Sequence, residues 1–125
     1  MDNEDKRTLK RIKGDNGEDA VVKMLQNKGF SLLCRNFEVH NVGELDCVFL
    51  KDEDLYVVEV RARRNLGLYP TSIETVDMKK IRKIKMTTGY LISKYGLYDK
   101  NVVFLVASVT HDSSGMIKKI ELIPF

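Results

Sequence analysis

Tryptophan is absent, cysteine, histidine and proline occur twice each, and no apolar run is longer than a strand. The short runs leave no candidate for a membrane-spanning helix, so no membrane partner is expected. Met1-Asp2-Asn3-Glu4-Asp5-Lys6-Arg7 is charged and lacks the apolar core of a secretion signal, which points to a cytoplasmic protein. With only His40 and His111, a histidine-rich transition-metal site is not expected. Cys34 and Cys47 have no Cys-x-x-Cys neighbour and sit in apolar surroundings. Two reduced, buried thiols are expected rather than a disulfide or a zinc site.

What is present is ordinary in bulk and uneven in detail. At 125 residues, 43% hydrophobic and 31% charged, the chain suits a single globular domain with a real core. The net charge of +3 is mild, but its distribution is not. Arg61, Arg63 and Arg64 form one basic cluster, and Lys79, Lys80, Arg82, Lys83 and Lys85 form another. Acidic residues gather near the N-terminus and at Asp52-Glu53-Asp54. Local positive patches of this kind suit a polyanionic partner.

Residues 1–13 have no sustained period and read as a frayed arm or an irregular first helix, leaving 14–125 as one domain. From Asn16 the pattern is helical, with Ala20, Val21, Met24 and Leu25 on one side and Gly29 as a stop. Strands are expected over 30–39, 44–50 and 55–62, joined by turns at Asn41-Val42-Gly43 and Lys51-Asp52-Glu53-Asp54. Residues 63–75, with Gly67 and Pro70, read as a loop long enough to be functional. A helix over 76–95 follows, its inner face made by Val76, Ile81, Ile84, Thr88, Leu91 and Ile92 and its end by Gly96. Residues 101–109 form a buried strand and 117–123 an edge strand. The predicted class is α/β, a mixed β-sheet flanked by helices in the order α-β-β-β-α-β-β.

Two carboxylates stand out against this pattern. Asp46 and Glu59 each interrupt a run that otherwise reads as a buried strand, where an unpaired charge is expensive. The short turn between their strands makes them antiparallel neighbours, and alternation puts Glu44 with Asp46 and Glu59 with Arg61. If the register brings Asp46 and Glu59 together, two charges about 4 Å apart repel by roughly 4 kcal/mol at an effective dielectric near 20. Protonation, a basic partner or a bound Mg²⁺ would relieve that, and oxygen ligands without histidine suit the hard cation. Arg61 stays protonated at any working pH, so its contribution there would be electrostatic.

The assembled residues resemble a known pattern. Gly14, Gly17, Glu18 and Ala20 approximate, with a different last spacing, a Gly-x-x-Gly-Glu-x-x-Ala helix opening. Gly43-Glu44-Leu45-Asp46, Val58-Glu59-Val60-Arg61-x-Arg63 and Val76-x-x-x-Lys80 continue it. Over about residues 14–109 the chain resembles the YraN-like family of bacterial proteins, assigned to the restriction-endonuclease-like fold of PD-(D/E)xK nucleases and similar to archaeal Holliday junction resolvases. The resemblance implies a Mg²⁺- or Mn²⁺-dependent endonuclease acting on DNA, with branched or structured DNA as substrate. It makes Asp46 the metal-binding aspartate and Glu59 the acidic residue of the (D/E)xK half, with Glu18 reaching the site from the first helix. Arg61 falls where the nuclease pattern has lysine, and 103–106 lacks the Arg-Phe-Asp of many members. Arg63, Arg64 and Lys80 are then the candidates for gripping the phosphate backbone.

Plainer readings stand beside these. Asp46 and Glu59 could be structural ion pairs with Arg61 or Arg63, and Glu18 could simply favour a helix N-terminus. The 79–85 run could be a solvated helix face, and Tyr69, Tyr90 and Tyr95 core residues with wet hydroxyls. At the level of function, the alternatives are a non-catalytic nucleic-acid-binding module retaining the nuclease fold, and a protein-interaction scaffold. The 117–123 strand offers an edge through which a homodimer could pair.

Overall fold

The computed structural model describes the backbone of residues 9–64 and 77–125 and the side chains of residues 17–62 and 77–125. Among the described residues, two helices and five strands follow one another as α1 (Leu9–Asn27), β1 (Ser31–Val39), β2 (Gly43–Lys51), β3 (Asp54–Arg64), α2 (Met78–Tyr95), β4 (Asn101–His111) and β5 (Ile117–Pro124). The order is the predicted α-β-β-β-α-β-β. Most boundaries fall within two residues of expectation. The exception is α1, which starts at Leu9 rather than Asn16.

One sheet holds all five strands in the order β1-β2-β3-β4-β5. β1, β2 and β3 form an antiparallel meander, β3 and β4 run parallel, and β5 returns antiparallel at the far edge. The parallel pair demands a crossover, and α2 supplies the helix within it. Among the described residues, no helix is long and apolar enough to cross a membrane.

Each helix covers one face. Val21, Val22 and Leu25 of α1 pack on Cys47, Phe49, Val58, Leu105, Ala107 and Val109. Ile84 and Leu91 of α2 pack on Leu45, Val48, Leu55 and Val57. Val21, Leu25, Ile84 and Leu91 are fully or almost fully buried, worth about 1.5–3 kcal/mol each. Thr87 and Thr88 also face the sheet, and each hydroxyl satisfies itself by donating to the carbonyl four residues back at 2.7 Å. Asp77 caps the start of α2 by accepting from the Lys80 amide at 2.8 Å, and Gly96 ends it at φ +65°, a left-handed turn that glycine adopts freely. Cys34 and Cys47 are both free and belong to opposite faces of the sheet.

Gly43 belongs to β2 rather than to the preceding turn, and its role is close approach. A Cβ there would sit 2.6 Å from Thr87 Oγ1 and 3.5 Å from the Lys83 carbonyl. Gly43→Ala should therefore push α2 off the sheet and cost about 1–3 kcal/mol, read as a lower urea midpoint with an unchanged slope.

Candidate functional site

Asp46 lies where the sheet comes apart. The β2–β3 ladder runs from Lys51↔Asp54 to Cys47↔Val58 and stops there, although β3 continues along β4 as far as Arg64. On the other side, the β1–β2 ladder passes from Arg35↔Cys47 to Phe37↔Leu45 without an Asn36–Asp46 pair. Asn36 sits at φ +52°, a left-handed conformation that asparagine tolerates better than most residues.

The consequence is a rotation of both strands. Leu45 packs on the α2 face and Cys47 on the α1 face, although residues two apart in a strand ordinarily share a face. Phe37 packs on the α2 face, whereas Arg35 reaches Glu18 of α1. The alternation expected to put Glu44 beside Asp46 is thus broken, and Glu44 is exposed.

Within the fork between β2 and β3, the Asp46 side chain replaces the missing ladder partner. Its Oδ2 accepts the Val60 amide at 2.8 Å. Glu59 emerges beside it, 5% exposed, on the face that Val57 shares with α2. The two carboxyl groups are close enough for the charge on one to act strongly on the other. Burial, then the charge of Asp46, lifts Glu59 from the usual 4.5 to about 7. Burial also raises Asp46, against the opposing pull of the Val60 amide, Lys80 and Arg61. Two carboxyls placed this close disfavour double ionisation.

Two cations converge on the pair. Lys80 Nζ, from the first turn of α2, lies 3.5 Å from Glu59 Oε1, and Arg61 Nη2 lies 3.7 Å from the same oxygen. Arg61 Nε is buried with no hydrogen-bond partner among the described residues. On β4, Ser108 stands beside Arg61 in the parallel register, and both Ser108 and Thr110 are buried. Their alternation with Ala107 and Val109 puts them on the face of Glu59 and Arg61. The sequence signal for them was a period-two polar interruption in an apolar strand.

Glu18 is placed differently. It is the tenth residue of α1, beyond the first turn where the helix dipole acts, so the macrodipole does not account for it. Its Oε1 accepts from Arg35 Nε at 3.1 Å and Nη2 at 3.0 Å, and Asp19 adds a 2.8 Å contact to the same guanidinium. Among the described residues, no three His, Cys, Asp or Glu side chains gather as a metal-holding group. The structure therefore brings together Asp46, Glu59, Arg61 and Lys80, and ties Glu18 to Arg35. Arg63 and Arg64 continue β3 beside Thr110 and His111, and their side chains lie outside the described part. So does all of Tyr69, whereas Tyr90 and Tyr95 are 54% and 40% exposed and are not core residues.

The model of an uncharacterised protein family, UPF0102, matches residues 17–109, which carry Asp46, Glu59, Arg61, Lys80 and Ser108. The chain belongs to the UPF0102 family. This is the YraN-like family that the motifs resemble. A UPF0102 protein of Persephonella marina is 36% identical over 108 residues, covering 86% of this chain and 90% of that protein. One from Dictyoglomus turgidum is 32% identical over 111 residues, covering 89% and 92%. A Campylobacter jejuni member is 40% identical over 81 residues, covering 65% and 69%. The fork, the carboxyl pair and Lys80 all lie within the matched UPF0102 region.

Proposed function

We propose that this UPF0102 protein is a metal-dependent endonuclease hydrolysing phosphodiester bonds in DNA, with branched or otherwise structured DNA as the expected substrate form. The observation that carries this reading is the Asp46–Glu59 carboxyl pair in a fork of the sheet, with Glu59 buried and Lys80 and Arg61 directed at it. A pair built for stability alone gains nothing from holding a glutamic acid up near pH 7.

The donor set fits a hard divalent cation. Mg²⁺ commonly takes only one or two carboxylates, with waters and substrate phosphate completing its octahedron, so Asp46 and Glu59 suffice without Glu18. When bound, Mg²⁺ or Mn²⁺ supplies Lewis-acid polarisation of the phosphodiester and a more acidic water. The chain's residues do the rest. Asp46 holds the pair in place through the Val60 amide, and Glu59 gives up its proton as the cation is bound. Arg61 keeps its charge at any working pH and steadies the negative charge growing on the phosphate. Lys80 brings from α2 the ammonium that the (D/E)xK position lacks in this chain.

Arg61 in place of lysine also favours a second reading, a nucleic-acid-binding module that keeps the fold without turnover. The two separate cleanly. Purified protein incubated with branched, flap and linear DNA in Mg²⁺ or Mn²⁺ should nick the structured forms, and Glu59→Ala should not. Salt-sensitive DNA binding with no product under either metal would select the binding module instead. No binding even at low salt would leave the scaffold reading.

A further inference from the structure

We propose that the outward face of α2 is a track for a single-stranded segment of nucleic acid, with Tyr90 as the platform for an unpaired base. This rests on the nuclease reading for its direction, since Lys80, on the inner side of the same helical turn as Lys79, faces Glu59. α2 carries Lys79, Lys80, Arg82, Lys83, Lys85 and Lys94 and no acidic residue. Ile84, Thr87, Thr88 and Leu91 define its buried side. At 100° per residue, Lys79 and Arg82 then point away from that side and Lys83 lies on the flank next to β2, followed towards the C-terminus by Met86, Gly89, Tyr90 and Ser93.

This second half has a different character. Met86 is 59% and Tyr90 54% exposed, and a Cβ on Gly89 would meet nothing within 4 Å. Met86, Gly89, Tyr90 and Ser93 line a shallow, open, mainly apolar shelf. The glycine lowers the helix surface between two large side chains, so a flat group can lie against the ring.

Charge complementarity selects the occupant. A second copy docking here would set two wholly basic helices side by side, and like charges disfavour that. A polyanion meets the basic half without such a conflict. An acidic peptide satisfies the cations too, but it has no use for the flat shelf beside them or for the nearness of Lys80 to Glu59. Nucleic acid uses both halves, phosphates on the cations and a base on the tyrosine. Paired bases are stacked inside a duplex and present edges, so the shelf calls for an unpaired one. Lys80 and Tyr90 are about 15 Å apart along the helix, on the order of four nucleotides at 3.4 Å each. The substrate class is thus nucleic acid with a short single-stranded stretch beside the cleavage point.

Fluorescence anisotropy in EDTA, where nothing is cut, tests this with a labelled thymidine single strand, a fully paired duplex and an acidic helical peptide. The single strand should bind more tightly than the duplex. Tyr90→Ala should weaken single-strand binding on the order of 10-fold and leave duplex binding unchanged, and Tyr90→Phe should retain it. Replacing Lys79 and Arg82 together by glutamine should weaken both nucleic acids and flatten the salt dependence by about 0.7 per lost single-strand contact. Wild-type affinity in Tyr90→Ala overturns the proposal. So does tight peptide binding that depends on Tyr90, or a dimer in light scattering that Tyr90→Ala dissociates. Metal-dependent cleavage lost in Asp46→Asn reports separately on the catalytic reading. Tyr90-dependent single-strand binding without any cleavage keeps the track and removes the nuclease.

Discussion

Asp46→Asn should reduce metal-dependent cleavage by roughly 10²- to 10³-fold or more while leaving the fold intact. The substitution is chosen for what it preserves. The asparagine carbonyl oxygen can still accept the Val60 amide, so the fork between β2 and β3 keeps its internal support. Asp46→Ala would also stop cleavage, but it strips that amide of its acceptor and adds about 1–3 kcal/mol of instability, which blurs the result. Removing the charge of Asp46 also takes away one of the two causes that raise Glu59, burial being the larger. The Glu59 titration should fall from about 7 towards the ordinary carboxylate range. NMR of the glutamate side-chain carbons reads that shift directly. An inactive variant whose Glu59 is fully ionised has lost a ligand, not merely the correct protonation state. Undiminished cleavage in Asp46→Asn, with the expected fall at Glu59, would remove Asp46 from the reaction.

Hydrophobic periodicity made the architecture legible, and α2 shows why. Its apolar residues repeat every three to four positions and Gly96 ends it, so two independent signals agree, while the Asp77 cap sets the start at Met78 rather than 76. α1 is the counter-example. The residues from Leu9 to Asn16 are rich in charge and give periodicity little to register. The same distinction runs through the site. Asp46 and Glu59 were visible because a carboxylate in an apolar strand is costly wherever the strand lies. Their meeting was legible too, since a short turn fixes the antiparallel register.

What strict alternation could not show was the rotation at Asn36 and Asp46. A left-handed residue on one strand and a missing pair on each side of the next are properties of backbone, not of residue type. That rotation lets a side chain act as ladder partner and leaves Glu44 outside. Glu18 was placed with the pair by the motif match alone, and in the structure its carboxylate accepts from Arg35. Lys80 shows the converse. The Val76-x-x-x-Lys80 match marked it for phosphate contact, and the structure turns its ammonium to Glu59.

Glu59→Gln separates a functional pair from a structural one, because the two predict stability changes of opposite sign at alkaline pH. Burial, then the charge of Asp46, raises Glu59 from 4.5 to about 7. Between those values the folded protein keeps a proton that the unfolded chain has released. Stability is then fully present below the ordinary carboxylate range and declines as pH rises through about 7. The gap corresponds to about 3 kcal/mol, at about 1.36 kcal/mol for each pH unit. Asp46, raised by burial in the same sense, adds to the decline. Glutamine has the same shape and no proton to lose. In EDTA the variant should match the wild type near pH 5 and exceed it by up to about 3 kcal/mol at pH 8, roughly 10 °C in Tm. Urea unfolding at the two pH values measures this. Saturating Mg²⁺ should close the gap from the wild-type side, since a cation held at about 100 Kd contributes about 2.7 kcal/mol only where the carboxylate is present. If Arg61 and Lys80 instead make Glu59 a structural ion pair, the glutamine variant will be the less stable protein at pH 8 and Mg²⁺ will shift neither. A gain in stability joined to a loss of cleavage is the signature of a site that keeps two carboxylates together against their mutual repulsion for the sake of a cation.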